Sequence, residues 1–271
     1  MATENKGTAL ITGASSGIGA VYADRLARRG YDLIIVARRR SRLDALAKRL
    51  TNETRRSVEV LAADLNDKTD LSRVEDTLKK DSSITTLVNN AGIGTFAPLL
   101  NSDANKMEEM ISLNITALTR LTYAAAPGFV ARGTGTIINI SSIVGIAPEM
   151  LNGVYGGSKA YVLAFSHSLQ NELASRGIRI QAVLPGATAT EFFDVGGMPV
   201  SHLPPEIVMT AENLVDAALS GLDQGELVTI PALADQGEWD RYEAARRDMS
   251  TRLSRTEPAA RYGSKTLAKA S

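Results

Sequence analysis

Short runs of apolar and β-branched residues alternate along the chain with longer segments in which apolar residues follow helical spacing. The short runs predict strands at residues 8–12, 32–37, 58–62, 86–90, 136–141, 178–184 and 227–230. The longer segments predict helices at residues 18–29, 41–50, 68–79, 105–131, 153–175 and 211–222. Strands that are apolar on both faces and alternate with helices form parallel sheets covered on both sides. We therefore expect an α/β fold with a doubly wound parallel sheet of about seven strands.

Two segments interrupt the alternation. Residues 191–205 are apolar but rich in glycine and proline, and we expect them to form a mobile flap over a pocket. Residues 235–253 are charged and helix-like, and they contain the only tryptophan, Trp239. Because no linker breaks the alternation, we expect one catalytic domain over residues 1–230. Residues 231–271 would be a C-terminal helical extension and tail of the same domain.

The composition limits the chemistry available to the chain. Thirty basic and thirty acidic residues give a formal net charge of zero, which favours neither nucleic acid nor a membrane surface as a partner. The absence of cysteine and the presence of only two histidines argue against thiol catalysis and against a metal site. Redox chemistry would therefore need an organic cofactor. No signal-peptide pattern or long apolar run is present, so we expect a cytoplasmic protein.

A glycine-rich loop, TGASSGIG at residues 12–19, follows the first strand and runs into a helix. Gly13 permits the tight turn, Gly17 lets the backbone approach a pyrophosphate, and Gly19 allows the helix to pack closely. The helix N-terminus favours the anion, so the loop predicts dinucleotide binding on a Rossmann-like fold. The alternatives are a glycine turn without a ligand and the G-x-S-x-G elbow of serine hydrolases. The elbow is disfavoured because the loop follows the first strand.

The residues after the second strand favour NADP over NAD. In dinucleotide-binding folds an acidic residue at this place holds the adenosine ribose of NAD, but here Ala37 is followed by Arg38 and Arg39. A guanidinium can hold the 2′-phosphate of NADP through two hydrogen bonds, and we assign that role to Arg38. The alternative is a solvated, basic helix start. Asp64, after the third strand, is placed either to accept from the adenine amine or to cap the next helix.

Three polar side chains later in the chain form a candidate catalytic set. Tyr155 and Lys159 are four residues apart on a predicted helix, so they share a face. The ammonium of Lys159, aided by an oxidised nicotinamide, is expected to lower the pKa of Tyr155 from about 10 towards neutrality. Ser142 ends the fifth strand, where ligands of open parallel sheets bind, and its hydroxyl could hold a substrate oxygen. The alternative is an ordinary helix face.

Together these motifs resemble those of the NADP-preferring, single-domain short-chain dehydrogenase/reductase family, over residues 8–230. The resemblance implies hydride transfer between NADP(H) and a carbonyl or alcohol substrate. It implies that Tyr155 is the general acid/base, that Lys159 lowers its pKa and binds the nicotinamide ribose, and that Ser142 orients the substrate oxygen. Asn114 would kink the long predicted helix that contains it and hold a proton-relay water to Lys159. The alternatives are a non-catalytic NADP(H)-binding sensor or scaffold and an enoyl reductase on the same fold.

The same resemblance, with the loop motifs, extends the predicted cofactor site. Thr188 and Thr190 would meet the nicotinamide carboxamide, while Asn90 and Gly92 would border the adenosine ribose. The complete predicted set of cofactor-binding residues is Gly13, Ser15, Ser16, Gly17, Ile18, Gly19, Arg38, Asp64, Leu65, Asn90, Ala91, Gly92, Tyr155, Lys159, Pro185, Gly186, Thr188 and Thr190.

The substrate is expected to be a small molecule with a carbonyl or alcohol group and an apolar or mixed character. The predicted pocket walls are mostly apolar: Thr95, Phe96, Val144, Ile146, Met150, Leu151, Phe192, Phe193 and Met198. Gly196 and Gly197 are candidates for a hinge of the flap. The resemblance also implies a homo-oligomer, a tetramer or a dimer.

Overall fold

The structure is a computed structural model that describes residues 6–262, and its contacts divide the chain into units Met1–Ala232 and Leu233–Ser271. The strands of the larger unit are β1 (Thr8–Thr12), β2 (Asp32–Ala37), β3 (Val58–Ala62), β4 (Ile84–Asn89), β5 (Gly135–Ile140), β6 (Ile178–Val183), β7 (Thr188–Ala189), β8 (Met209–Thr210) and β9 (Val228–Thr229). A seven-stranded parallel sheet has the order β3-β2-β1-β4-β5-β6-β9, and β7 pairs separately with β8. The predicted fold class and all seven predicted strands are thereby confirmed.

The helices follow the predicted segments closely. In the larger unit they are α1 (Gly17–Arg28), α2 (Arg40–Thr54), α3 (Lys68–Lys80), α4 (Ala104–Ile111), α5 (Leu118–Arg132), α6 (Gly153–Leu173), α7 (Glu191–Val195) and α8 (Ala211–Gln224). The predicted helix over residues 105–131 differs in one respect: a π-helical turn, Ser112–Ala117, joins α4 to α5. Such wide turns within helices are frequent at functional sites.

Helices cover both faces of the sheet. On one face Ile11 of β1 belongs to a core shared with α1, α2 and α8, which includes Tyr22 and Leu26. On the other face the neighbouring Leu10 packs in a core shared with α3, α5 and α6, which includes Leu121. Because successive strand residues enter opposite cores, the central strands are apolar throughout rather than alternating with polar residues.

The sheet order places a crevice at the centre of the larger unit. β1 lies between β2 and β4, so the chain winds away from β1 in opposite directions on its two sides. In open parallel sheets, ligands bind at the carboxyl ends of the strands where this reversal occurs. The loops that follow β1, β2, β4 and β5 therefore define the place where a site is expected.

The smaller unit contains α9 (Gln236–Ser250), which lies within the predicted helical segment. Asp235 caps it, since Oδ1 accepts a hydrogen bond from the Gly237 amide at 2.8 Å. Along the helix Glu243 pairs with Arg246 at 2.9 Å. In the part of the chain that the structure describes, no helix has the length and apolar character needed to cross a membrane.

Candidate active site

The glycine loop forms the tight turn between β1 and α1 that the sequence predicts. Gly13 has a φ of +68°, which favours glycine, and a side chain there would place its Cβ 2.7 Å from Nδ2 of Asn90. That same Nδ2 donates to the carbonyl oxygen of Thr12 at 2.8 Å and so ties the loop to the end of β4. A Cβ at Gly19 would collide with the carbonyl oxygen of Gly13, which explains why α1 can begin so close to the loop.

The N-terminus of α1 and the loop after β2 supply donors suited to a phosphorylated dinucleotide. Ser16 precedes α1 but forms no capping hydrogen bond, so the first-turn amides of this 12-residue helix lack a side-chain acceptor. Free amides at a helix N-terminus favour an anion such as a pyrophosphate. Arg38 is exposed and has no hydrogen bond or ion pair with any residue from 6 to 262. Its free guanidinium fits the additional phosphate of NADP.

A cavity of about 1010 Å³ runs along the carboxyl ends of the strands. It brings together the glycine loop, Arg38, the loop after β4, Tyr155 and the loop after β6. Every residue of the predicted cofactor set lines it except Gly19, which packs beneath the loop. Ser142 lines the same cavity, whereas Asn114 does not and is only 2% exposed. The structure therefore gathers residues that lie far apart in the sequence into one cleft.

Asp64 lines the cavity but does not cap α3. The cap is Asp67, whose side chain accepts from the amides of Thr69 and Asp70 at 2.9 Å each. Asp64 Oδ1 instead accepts from the amide of Asn66 at 3.0 Å. The helix-cap alternative is therefore wrong, because the cap lies three residues later and α3 begins at Lys68. The contact of Asp64 with an adenine amine stays a prediction.

Tyr155 lies in the first turn of α6 and is 6% exposed. Burial raises the pKa of its phenol to about 12, and a hydrogen bond with Ser142 opposes this shift. The direction is opposite to the sequence prediction, because loss of hydration disfavours the phenolate more than the neighbouring groups stabilise it. Ser142 is itself held in place, since its Oγ donates to the carbonyl oxygen of Pro185 and accepts from the amide of Val144, both at 3.3 Å.

Lys159 lies one turn further along α6, and its side chain is turned towards the sheet. Nζ donates to the carbonyl oxygen of Ile140, at the end of β5, at 2.9 Å, and it lies 5.8 Å from the centre of the Tyr155 ring. Burial lowers the pKa of Lys159 to about 8. An ammonium carries three donors, so this single bond leaves donors for a ligand in the cavity.

Asn114 connects three segments around the site. It lies in the π-helical turn, where its Nδ2 donates to the carbonyl oxygen of Ile93 at 2.9 Å and its Oδ1 accepts from the amide of Ile93 at 3.0 Å. Nδ2 also donates to Oγ of Ser158 at 3.1 Å. The loop after β4 is thereby fixed to the first turns of α6. The relay water that the resemblance implies stays a prediction.

Asn152 is a positioning residue that the sequence analysis did not single out. It caps α6, because its Oδ1 accepts from the amides of Val154 at 2.9 Å and Tyr155 at 3.4 Å. Its Nδ2 donates to the carbonyl oxygen of Ala97 at 2.7 Å and to Oγ of Ser102 at 3.2 Å. An asparagine directly before a predicted helix start is a recognisable capping signal, so the sequence contained the information.

Aromatic side chains form the wall opposite Tyr155. The β7–β8 pair holds both ends of residues 190–208, and within them Phe192 lies 5.6 Å from the Tyr155 ring, centre to centre. Phe193 stacks on Phe96 at 5.2 Å. The predicted pocket walls that line the cavity are Phe96, Val144, Met150, Leu151, Phe192, Phe193 and Met198, whereas Thr95 and Ile146 do not. Thr95 instead closes a local turn, in which its Oγ1 accepts from the Ala97 amide.

The structure also joins two segments that the sequence analysis treated separately. Glu191, the first residue of α7, forms ion pairs with Arg39 at 3.0 Å and with Arg42 at 2.6 Å. Both arginines follow β2, in the basic segment for which the sequence predicted phosphate binding or simple solvation. Contact between residues about 150 positions apart leaves no signal in a single sequence.

Comparison with known proteins agrees with this arrangement. Residues 7–195 match the short chain dehydrogenase family. The chain is similar to a short-chain dehydrogenase from Sphingobium yanoikuyae, solved in complex with NADPH, with 50% identity and a TM-score of 0.92 over 94% of this chain and 99% of that one. It is also similar to the bulky-bulky ketone specific alcohol dehydrogenase from Comamonas testosteroni, with 45% identity and a TM-score of 0.88 over 96% and 99% of the two chains.

A curated relative is more distant. The very-long-chain 3-oxoacyl-CoA reductase of Anas platyrhynchos is 34% identical over 208 residues, which is 75% of this chain. The match spans 66% of that relative, just under two thirds of its length. Residues 7–195, which match the family, include the glycine loop, the catalytic candidates and strands β1 to β6. The chain therefore belongs to the short-chain dehydrogenase/reductase family of oxidoreductases.

Proposed function

We propose that the protein is an NADP(H)-dependent reductase of ketones that also oxidises the corresponding alcohols. The observation that carries this proposal is the lining of one cavity, which brings Tyr155, Lys159 and Ser142 together with the N-terminus of α1 and Arg38. The first set can protonate and orient a carbonyl oxygen, and the second can hold a dinucleotide with an added phosphate. The Sphingobium relative, in complex with NADPH, supports the cofactor assignment.

The residues that would hold NADP(H) follow the length of the cavity. The first-turn amides of α1, at Gly17 and Ile18, would bind the pyrophosphate, and Arg38 would bind the 2′-phosphate. Lys159 would donate to the nicotinamide ribose, and the loop at Thr188 would meet the carboxamide. When bound, NADPH supplies the hydride that reduces the carbonyl carbon.

Tyr155 is suited to deliver the proton during reduction. A pKa of about 12 keeps its phenol protonated at neutral pH, so the donor is present when the carbonyl oxygen becomes basic. The hydroxyl of Ser142 would rotate from the carbonyl oxygen of Pro185 to donate to that oxygen, which orients it and stabilises the negative charge that develops on it. In the reverse reaction the phenol must be deprotonated, and the positive charges of Lys159 and of the oxidised cofactor would lower its pKa.

The walls around Tyr155 favour a ketone with bulky apolar groups on both sides of the carbonyl. Phe192 approaches the phenol, while Phe193 and Phe96 extend the aromatic surface away from it. Rings of this kind bind large apolar groups through their area and their preferred stacking geometry. The relative from Comamonas testosteroni, which is specific for bulky-bulky ketones, supports this substrate class.

We also propose that the protein is a homo-oligomer, a tetramer or a dimer, as the family resemblance implies. Large apolar side chains on the segment that leads into and along α4 and α5 support this: Leu99 is 78% exposed, Leu100 is 93% exposed and Tyr123 is 70% exposed. Leu99 and Leu100 are adjacent, and contiguous exposed apolar residues commonly mark contacts between subunits.

The decisive experiment replaces Tyr155 with phenylalanine. We expect kcat for NADPH-dependent reduction of a bulky aryl ketone to fall by about 10²–10⁴-fold, since a positioned general acid contributes that much. Tyr161→Phe is the matched control, because Tyr161 lies in the same helix, bonds only to Thr119 through its hydroxyl among the residues described, and does not line the cavity. A Tyr155→Phe variant as fast as the parent would refute the acid/base assignment. Tight NADPH binding without turnover of any ketone or enoyl compound would favour a sensor instead.

A further inference from the structure

One acidic side chain, Glu191, connects two segments that contribute residues to the cofactor cleft. Glu191 begins α7, on the substrate side, yet its carboxylate reaches the basic segment that follows β2. Oε1 accepts from Nη1 of Arg42 at 2.6 Å, and Oε2 accepts from Nη2 of Arg39 at 3.0 Å. The preceding residue, Thr190, lies so close to the glycine loop that a Cβ at Gly17 would be 3.0 Å from its Cγ2. The carboxylate is thus held directly beside the phosphate-binding loop.

The guanidinium nitrogen of Arg39 that contacts Glu191, Nη2, has no spare hydrogen to donate. Nη2 carries two hydrogens, and three oxygens surround it: Glu191 Oε2 at 3.0 Å, Ser16 Oγ at 3.1 Å and Ser15 Oγ at 3.4 Å. A phosphate oxygen that approaches this nitrogen must therefore displace one of the three. The adjacent Arg38 differs, because it forms no hydrogen bond or ion pair within residues 6–262.

The charge on Glu191 is present under ordinary conditions. Hydrogen bonds from Arg42 and Arg39 hold the pKa of its carboxyl group below the ordinary value, so the group is ionised at neutral pH. Glu191 and Arg39 both line the cavity. The place where the cleft would receive the 2′-phosphate, beside the residues that follow β2, thus contains a fixed negative charge as well as arginines.

We propose that Glu191 is a specificity-determining residue, whose carboxylate competes with the 2′-phosphate of NADP(H) for Arg39 and so limits the preference for NADP(H) over NAD(H). This inference rests on the proposed function, since it assumes that a dinucleotide binds in the cleft. The competition has two parts: the carboxylate occupies one of the two donors of Nη2, and its negative charge repels a phosphate that binds beside it. NAD(H) carries no phosphate at this position and experiences neither effect.

The test is the affinity of Glu191→Gln for each cofactor, measured by the fluorescence of NADPH and of NADH on titration with protein. Glutamine keeps the length and an acceptor oxygen but removes the charge. We expect the Kd for NADPH to fall by about three- to tenfold at low ionic strength, while the Kd for NADH changes by less than about twofold. The gain should shrink at about 1 M salt, where the charges are screened.

Two further variants test whether the effect of Glu191→Gln comes from the loss of charge at position 191. Glu191→Asp keeps the charge and should keep the cofactor preference of the parent. Asp44→Asn removes a carboxylate of similar exposure, which pairs with Arg40 near the start of α2 and does not line the cavity. This variant should leave both Kd values unchanged.

The outcomes distinguish this inference from the proposed function. Weaker NADPH binding by Glu191→Gln, or an unchanged ratio of the two Kd values, would overturn the competition. The first of these results would show that Glu191 supports Arg39 as a phosphate ligand. Failure of the parent protein to bind either dinucleotide would instead overturn the proposed function, and this inference with it.

Discussion

Burial shifts the pKa values of Tyr155 and Lys159 in opposite directions, because in each residue it favours the uncharged form. It raises the pKa of Tyr155 to about 12 and lowers that of Lys159 to about 8. At pH 7 the site therefore combines a protonated phenol with an ammonium that is still mostly charged. This combination is the one that carbonyl reduction needs, because the acid is protonated and a cation is ready for the phenolate that remains.

The titration of Lys159 predicts how cofactor binding responds to pH. Its folded-state pKa is lowered to about 8, so the ammonium is present below that pH and is lost as the pH rises through it. If the charged form donates to the nicotinamide ribose, the Kd for NADPH should rise by about tenfold between pH 7 and pH 9. Titration at a series of pH values measures this directly. Lys159→Met should bind more weakly at pH 7 and show a nearly flat profile, and an equally steep profile in this variant would exclude Lys159 as the titrating group.

Spacing in the sequence predicted which residues meet at the site, but not their electrostatic state. Tyr155 and Lys159 are predictable because a helix places residues four apart on one face, and Ser142 because strand ends meet at one edge of a sheet. The raised pKa of Tyr155 depends on how completely the fold excludes water from the phenol. The pairing of Glu191 with Arg39 depends on where the chain returns after β6. Neither the pKa shift nor the ion pair can be predicted from the residues adjacent in the sequence.

At the level of elements, the cap of α6 controls the position of Tyr155. We expect Asn152→Ala to lower the free energy of unfolding by about 2 kcal/mol, because it removes the cap and the bond to Ala97. It should also lower kcat by about tenfold or more, since the first turn that carries the phenol loses its anchor. Urea denaturation and steady-state kinetics measure the two effects. Asp67→Ala, which removes the cap of α3, is the matched control and should destabilise the protein while kcat changes by less than about twofold. Equal kinetic effects of the two variants would contradict the positioning role.

The ends of helices and strands were predictable where burial gives the sequence a regular pattern of apolar residues, and not elsewhere. β1 and β2 are apolar on both faces, so their ends agree with the sequence prediction. The two-residue strands β7 and β8 are too short to show a period, although their pairing holds both ends of residues 190–208. The apolar pattern did not indicate the π-helical turn around Asn114, although the family resemblance implied a kink there. One extra residue in a turn hardly changes an apolar pattern, and the side-chain bonds to Ile93 and Ser158 that accompany the turn are tertiary contacts.

Across the whole molecule, a ligand in the cavity should stabilise one unit of the chain. All residues that line the cavity lie in the unit Met1–Ala232, and they come from the carboxyl ends of most strands of the sheet. A ligand that binds only the folded form at a concentration of 100 Kd adds about 2.7 kcal/mol to the free energy of unfolding. For a domain of this size that corresponds to a rise in Tm of about 5–10 °C. Differential scanning calorimetry with NADPH, with NADH at the same concentration as the comparison, should therefore show the larger shift with NADPH. If the two units unfold in separate transitions, only the transition of the larger unit should move, and a shift of both or of neither would contradict binding in this cavity.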